Sequence, residues 1–416
     1  MSWREMTLGE ITDLKRGFDL PKSQRLQGDV PVYSSSGITG SNSTAAVEGP
    51  CVITGRYGTI GEVFFSGGPC WPLNTALYST EFNGNNPRFV YYLLQTIPWQ
   101  GYTTASAVPG VNRNHVNLCP VKIPDKATQD AIVEVLDSIV DKIALNNQLN
   151  DYLFELVSSV FAHRFSDNVN TTELKNVLSI STKALKPQEH ADEIWEHYSI
   201  PAFDEKHRPI FEPASGIKSN KYQIDSGCIL ISKLNPSTKR IWMPCCSSNN
   251  AVCSTEFIVY RPYLKEYKSF YYAAIDSPRF TDYLLEHVSG STGSRQRAQP
   301  KDTLNYLMPN PDNEEIKDFC TFADPIYRHI QINEQQTAKL ELLRETLLPK
   351  LMSGAIDVSK VDLTQLTNNH LSGCGSFCSV CCPSGLASEF HEWFREHFFF
   401  GYGHLCKADL GWEDLP

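Results

Sequence analysis

The 416-residue chain is predicted to be an α+β protein with two β-rich domains, each followed by a long α-helix, the two helices packing as an antiparallel coiled coil. Three observations predict this fold: two helical segments repeat each other 187 positions apart, a mostly β stretch precedes each of them, and a proline marks each entry into the helix. The predicted boundaries are 1–125 and 166–312 for the β-rich domains, 126–165 and 313–356 for the helices, and 357–416 for an irregular Cys-rich tail.

The helical repeat is recognised by apolar residues spaced alternately three and four positions apart, as in a coiled-coil seam. In the second segment this seam runs through positions 316, 319, 323, 326, 330, 333, 337 and 340. Each segment carries one seam asparagine, and a buried seam asparagine lowers stability but fixes register. The residues expected to pair the helices are Ile139, Ile143, Asn146, Ile326, Ile330 and Asn333.

The two β-rich stretches follow one plan. Short apolar or β-branched runs separated by Gly, Pro, Asn and Ser clusters predict strands at 50–54, 62–65 and 75–79, and again at 228–232 and 256–260. An aromatic helix is predicted after them in each half, at 88–94 and 269–274. Pro124 and Pro311 mark the two exits into the long helices. The second stretch is about twenty residues longer, so the architecture repeats while the surfaces differ.

Composition places the chain among cytoplasmic proteins. Its hydrophobic content of 41% and charged content of 20% are ordinary for a globular protein. No apolar run approaches the ~20 residues that span a bilayer, and the first residues lack a signal-peptide apolar region. Eight of the 13 cysteines are scattered over residues 1–356, and thiols of this kind are expected to stay reduced. We therefore expect no membrane partner.

The net charge of −10 is unevenly distributed. The β-rich domains are close to neutral, whereas the acidic excess lies on the helices and the tail. Binding to a polyanion depends on the local field, so a neutral domain can still present a basic face. Composition therefore permits DNA binding without requiring it.

Six short phrases carry a resemblance to a known family. They are YSSSGITG at 33–40, GRYGTIG at 55–61, PLNTALY at 72–78, SKLNP at 232–236, GSTGSRQR at 290–297 and LLPKLMSG at 347–354. Their order, together with the helix repeat, resembles the specificity subunit HsdS of type I restriction–modification systems. The resemblance covers about residues 3–358.

This resemblance implies a non-catalytic DNA-specificity subunit. Its two β-rich domains would be target-recognition domains, each reading one half of a split site in double-stranded DNA. The helices would act as a spacer, and a helix from 127 to 163 would be roughly 55 Å long. They would also dock two methyltransferase (M) subunits and, through these, two restriction (R) subunits. S-adenosylmethionine, ATP and Mg²⁺ are expected in those partners, and no cofactor is expected in this chain.

Two polar loops are the first candidates for DNA contact. The loop at 291–301 contributes Arg295, Gln296, Arg297 and Lys301, and the loop at 106–115 contributes Asn112 and Arg113 in the same roles. Arginine can pair bidentately with guanine and glutamine with adenine, while lysine suits phosphate. The alternative is a solvated loop that caps the next helix or contacts the methyltransferase.

Two further segments are weaker candidates. Arg56 and Tyr57 lie at the tip of GRYGTIG, which lacks the Lys-Ser/Thr ending of a phosphate loop, so tight-turn glycines also explain it. Lys233, Lys239 and Arg240 flank a predicted turn. They are expected to contact phosphates or simply to be surface charges.

The sequence motifs give less support to other functions. Motifs of amino-methyltransferases and ATPases are missing, and the acidic run at 311–317 reads better as a helix start than as a nuclease motif. A stand-alone methyltransferase or nuclease, or a coiled-coil scaffold that binds proteins, remain the alternatives. The tail holds Cys374, Cys378, Cys381 and Cys382. An extension without function is preferred there to a zinc knuckle, so no metal site is predicted.

Overall fold

A computed structural model describes residues 3–103, 110–167, 170–289 and 296–361. They form two compact units. Unit 1 holds the chain up to Leu145 and resumes at Thr337, whereas unit 2 runs from Asn146 to Gln336. The predicted mixture of strands with two long helices is confirmed. Within the described residues, no helix is both long and apolar enough to cross a membrane.

The long helices are α4, Lys126–Phe165, and α9, Asn313–Met352, in chain order. Each is 40 residues long, and both their starts and their ends are offset by 187 positions. All eight seam positions named for the second helix, from Ile316 to Leu340, are buried. A buried stripe of this spacing explains why a helix of mixed composition is stable over eleven turns.

Unit 1 is built on a four-stranded antiparallel sheet in the order β2-β8-β5-β6, beside a three-stranded sheet β4-β3-β7 and a pair β1-β9. Its strands are β1 (Arg4–Thr7), β2 (Lys15–Arg16), β3 (Val30–Ser34), β4 (Gly37–Asn42), β5 (Cys51–Gly55), β6 (Val63–Ser66), β7 (Trp71–Pro72), β8 (Ala76–Ser79) and β9 (Pro120–Ile123). Its shorter helices are α1 (Leu8–Ile11), α2 (Pro87–Gln95) and α3 (Arg113–Val116). Strand β5 is fully buried, which matches its continuous apolar run.

The core of unit 1 joins the aromatic helix to both long helices. Phe89 and Leu93 of α2 pack with Leu136 of α4 and with Leu351 of α9. Arg88 of α2 reaches Asp137 of α4 through two Nε contacts of 3.1 Å, and the Tyr92 hydroxyl donates to the same carboxylate. Burial and this hydrogen bond raise the pKa of Tyr92. The contacts fix α2 on the start of α4.

Unit 2 repeats the four-stranded sheet in the order β11-β19-β16-β17 and replaces the smaller one by a five-stranded sheet, β12-β15-β18-β13-β14. Its strands are β10 (Thr171–Glu173), β11 (Leu178–Ser181), β12 (Ala184–Leu185), β13 (Ile194–Tyr198), β14 (Ile210–Pro213), β15 (Lys221–Gln223), β16 (Ile229–Ser232), β17 (Ile241–Trp242), β18 (Ala251–Ser254), β19 (Phe257–Pro262), β20 (Val288–Ser289), β21 (Arg297–Ala298) and β22 (Leu307–Pro309). Its shorter helices are α5 (Ile200–Lys206), α6 (Lys268–Asp276), α7 (Pro278–Glu286) and α8 (Pro300–Thr303). The larger second sheet accounts for the extra length of this domain.

In unit 2 the end of α4 packs against the start of α9. The rings of Phe161 and Phe319 lie 5.5 Å apart, and those of Phe154 and Tyr327 lie 6.2 Å apart. Ile326 and Ile330 are buried in the same core. Phe161 comes after Phe154 in α4, whereas its partner Phe319 comes before Tyr327 in α9. The two helices therefore run antiparallel in this unit.

The helix-pairing residues differ in burial. Asn146 donates to Gln336 Oε1 at 3.0 Å, and Asn333 donates to Asn150 Oδ1 at 2.8 Å. Each seam asparagine therefore faces a polar side chain of the other helix. Ile139 is fully buried, whereas Ile143 is only half-buried.

Candidate nucleic-acid interface

In unit 1, two loops that lie far apart in the sequence meet at one cleft. The backbone N–H of Val111 donates to the Arg56 carbonyl at 2.9 Å, and Tyr57 forms an isolated bridge with Gly110. The cleft has a volume of about 570 Å³. Its polar lining consists of Arg16, Arg56, Tyr57, Asn112, Arg113 and Asn114. The structure thus brings together four residues that the sequence indicated in two separate segments.

The cleft offers a cationic and aromatic surface. The guanidinium carbon of Arg56 lies 4.5 Å from the centroid of the Tyr57 ring, a cation–π contact that keeps the charge partly exposed. Arg16 forms an exposed ion pair with Asp19 at 3.6 Å, which is worth little in water. Arg113 is exposed. Guanidinium groups and a planar ring are the groups that bind phosphates and bases.

Asn112 has a local structural role at this cleft. Its side-chain oxygen accepts the backbone N–H of Asn114 at 3.0 Å and so caps the short helix α3. The side-chain amide can still donate, because capping uses only the oxygen. Asn112 therefore both positions Arg113 and presents a donor to the cleft.

Backbone geometry explains the glycines of GRYGTIG. A Cβ on Gly55 would lie 1.7 Å from the Thr59 carbonyl oxygen, and Gly58 has a φ of +79°. Only glycine tolerates both conditions without strain. The glycines shape the turn that carries Arg56 and Tyr57 at its tip.

Unit 2 contains the same junction of two loops. The backbone N–H of Ala298 donates to the Lys233 carbonyl at 2.9 Å, and Leu234 forms an isolated bridge with Arg297. The backbone N–H of Asn235 donates to the Gln296 carbonyl at 2.9 Å. Residues 233–235 and 296–298 therefore occupy the place that 56–57 and 110–111 hold in unit 1.

The basic side chains of the second junction are mostly paired with carboxylates. Arg240 holds Asp204 with two bonds of 2.6 and 2.8 Å, and Lys239 lies 2.7 Å from Asp276. Arg297 contacts Glu256 at 3.1 Å. Lys233 is half-buried and Lys301 is exposed. Sequence reasoning did not foresee these ion pairs, because their acidic partners lie 36–41 positions away.

Burial strengthens the Lys239 contact. Burial raises the pKa of Asp276, while Lys239 and the Ser158 hydroxyl of α4 favour its charged form. A buried carboxylate that loses its cation would be left uncompensated. Lys239 therefore ties its loop to the end of α6.

When the two repeats are aligned on their structures, the residues of the two polar loops correspond differently than their sequences suggested. Helices α3 and α8 both follow the loop junction and begin 187 positions apart, at Arg113 and Pro300. Asn112 thus corresponds to Gln299, and each occupies the position before its helix. Arg16 was missed by sequence reasoning, because only the pairing of β2 with β8 and of β8 with β5 brings it to this edge.

Some predicted features lie outside the described residues. They are residues 106–109 of the first polar loop, residues 291–295 of the second, which include Arg295, and the tail from 362 onward with its Cys-rich stretch from Cys374 to Cys382. Within the described part of the chain, no three His, Cys, Asp or Glu side chains are grouped as metal ligands, and the eight cysteines there are free.

Comparison with protein families matches residues 1–153 to the type I restriction modification DNA specificity domain. The first 153 residues are therefore similar to a type I restriction–modification DNA specificity domain. The match covers unit 1's described sheets, the Arg56 cleft and the first part of α4. No curated protein is significantly similar to the chain in sequence.

One solved structure has a similar fold. The S subunit of the type I restriction-modification system from M. genitalium has 15% identity and a TM-score of 0.57, over 84% of this chain and 96% of that one. The HsdS subunit from Thermoanaerobacter tengcongensis, at 16% identity, covers 85% of this chain and 97% of its own length with a TM-score of 0.30. The likeness to the M. genitalium subunit establishes the fold.

Proposed function

We propose that this chain is the DNA-specificity subunit of a type I restriction–modification complex and reads a bipartite site in double-stranded DNA. The match of residues 1–153 to the DNA specificity domain carries this proposal. The loop junction of unit 1 recurs in unit 2 with the same backbone hydrogen bond, which supports two readers built on one plan.

Contact with DNA is assigned to the two loop junctions. In unit 1, Arg56 and Arg113 supply cations, and Asn112 supplies an amide to a cleft of about 570 Å³. In unit 2, residues 233–235 together with Gln296 and Lys301 form the corresponding surface. Phosphate contacts would position each unit, whereas contacts to base edges would carry the specificity.

We infer that the long helices form an antiparallel coiled coil that acts as a spacer. The ring contacts of Phe161 with Phe319, the hydrogen bonds of the seam asparagines and the buried seam of α9 support this. In unit 1, Ile132 and Leu136 of α4 share a core with Leu351 of α9, which supports the same direction of packing. A 40-residue helix is roughly 60 Å long.

Replacing both members of the buried Asn150–Asn333 pair with leucine is expected to keep or raise the melting temperature, since a paired polar contact then gives way to apolar packing. Replacing Asn333 alone should lower stability by about 1–3 kcal/mol, because it leaves the Asn150 oxygen buried without its donor. Thermal and chemical denaturation of the unaltered chain, the double variant and the single variant measure these changes in stability. Equal stability of the single and the double variant would contradict the assigned pairing.

We further propose that the helices dock two methyltransferase subunits, and that two restriction subunits join through these in the cytoplasm. S-adenosylmethionine, ATP and Mg²⁺ would then serve the partners. The chain itself would bind and orient DNA without reacting with it. The alternative function is a coiled-coil scaffold that binds proteins. A methyl-transfer assay distinguishes the two functions.

The purified chain alone is expected to transfer no methyl group to DNA, because its proposed chemistry is limited to recognition. Addition of the methyltransferase subunit should produce methyl transfer from labelled S-adenosylmethionine to DNA. The methyltransferase subunit without this chain is the control. Turnover by the chain alone would overturn the non-catalytic assignment, and no turnover in the mixture would favour the protein scaffold.

A further inference from the structure

Arg56 and Lys233 occupy the same position in the two repeats. Each directly follows one of the two central strands of its four-stranded sheet, the fully buried β5 in unit 1 and β16 in unit 2. The carbonyl of each accepts a backbone N–H from the other loop at 2.9 Å, from Val111 and from Ala298. Their side chains therefore start from equivalent points of the two loop junctions.

The positive charges of the Arg56 and Lys233 side chains are available to bind an anionic ligand. Arg56 faces the cleft and packs on the Tyr57 ring. In the described part of the chain, neither Arg56 nor Lys233 has a carboxylate within ion-pair distance. A cation that is not neutralised by its own protein can replace the counterions of a phosphate.

Three neighbouring basic side chains of unit 2 instead form ion pairs with carboxylates. The Arg240 side chain is only 12% exposed and donates two hydrogen bonds to Asp204. Lys239 forms an ion pair with the buried Asp276. Arg297 lies against Glu256, whose carbonyl also accepts the backbone N–H of Lys233. Arg240 and Lys239 thus connect the loop at 233–240 to α5 and α6, and Arg297 connects the other loop of the junction to the residue before β19.

We propose that Arg56 and Lys233 are equivalent contacts to the DNA phosphates, one for each half-site, and that Arg240, Lys239 and Arg297 are positioning residues that hold the two loops of the second junction. This inference rests on the proposed DNA-specificity function. It divides the basic residues of the second junction into two roles that their sequence positions alone do not distinguish.

The test uses the full chain assembled with the methyltransferase subunit, and three single variants: Arg56→Gln, Lys233→Gln and Arg297→Gln. Arg4→Gln is the control, because it removes an exposed arginine that does not line the cleft. One readout is the methylated motif in genomic DNA. The other is the salt dependence of binding to a duplex that carries this motif.

Arg56→Gln and Lys233→Gln should each weaken binding about fivefold or more and leave the motif unchanged, because a phosphate contact carries no sequence information. Each should also reduce the slope of log K against log salt by about 0.9, the loss of one phosphate contact. Arg297→Gln and Arg4→Gln should leave the motif and the slope unchanged. Arg297→Gln should lower the melting temperature by at most about 4 °C, since its ion pair is partly exposed.

A conservative exchange separates contact from support of the fold. Arg56→Lys places the residue of the second repeat in the first and should restore the salt slope. The inference is overturned if Arg297→Gln reduces the slope as much as Lys233→Gln does, if Arg56→Lys restores none of the slope, or if Arg56→Gln or Lys233→Gln changes the motif. Loss of DNA binding by the unaltered complex would instead reject the proposed function, and the inference with it.

Discussion

Deleting residues 140–143 of α4 together with residues 340–343 of α9 is expected to change the number of unread base pairs between the two half-sites, while the sequence of each half-site is kept. Four residues correspond to about 6 Å of helix. At about 3.4 Å per base pair, this is one to two base pairs of the unread segment. Both deletions lie in unit 1, so the hydrogen bonds of Asn146 and Asn333 are not touched.

The matched control replaces the same eight residues with alanine and keeps both helices at full length. It should methylate the original motif, although its stability will be lower where apolar side chains are lost. Sequencing of methylated bases in cells that carry each variant gives the motif directly. An unchanged spacer after the double deletion would show that the helices do not set the distance.

The long helices were the most predictable part of the chain. Their period of three and four residues is a local property of the sequence, and it placed the seam from Ile316 to Leu340 on the buried side of α9. The two seam asparagines were recognised from this period, and in the structure Asn146 faces Gln336 while Asn333 faces Asn150. The partners themselves depend on the antiparallel register, which periodicity alone does not determine.

The smaller sheets were less predictable than the central ones. Strands β5 and β16 are continuous apolar runs that local sequence identifies. By contrast, the five-stranded sheet of unit 2 includes a parallel pair, β13 with β18, whose members are more than 50 positions apart. Its strands are short and partly polar, so their pairing is decided by tertiary packing.

The candidate site was predictable by residue type and not by arrangement. Arg56 and Arg113 were indicated as separate candidates, but only the hydrogen bond from Val111 to Arg56 places them at one cleft. The pairing of Arg297 with Glu256 was hidden, because it joins residues 41 positions apart. Ion pairs across a fold follow from its register, which a list of basic residues does not contain.

Removing this gene is expected to abolish methylation at a single split motif, since the methyltransferase would lose the component that selects its site. The effect should be all or none at that motif, because the proposed base-edge contacts in both half-sites would come from this chain. Methylation at motifs served by other enzymes in the same cell provides the internal control.

Genome-wide mapping of methylated bases in matched cells with and without this gene tests the central claim most directly. The account predicts one motif made of two short specific sequences separated by unread bases, methylated only when the gene is present and restored when it is returned. Identical methylation in both cells, or a gene-dependent motif without a gap, would contradict it.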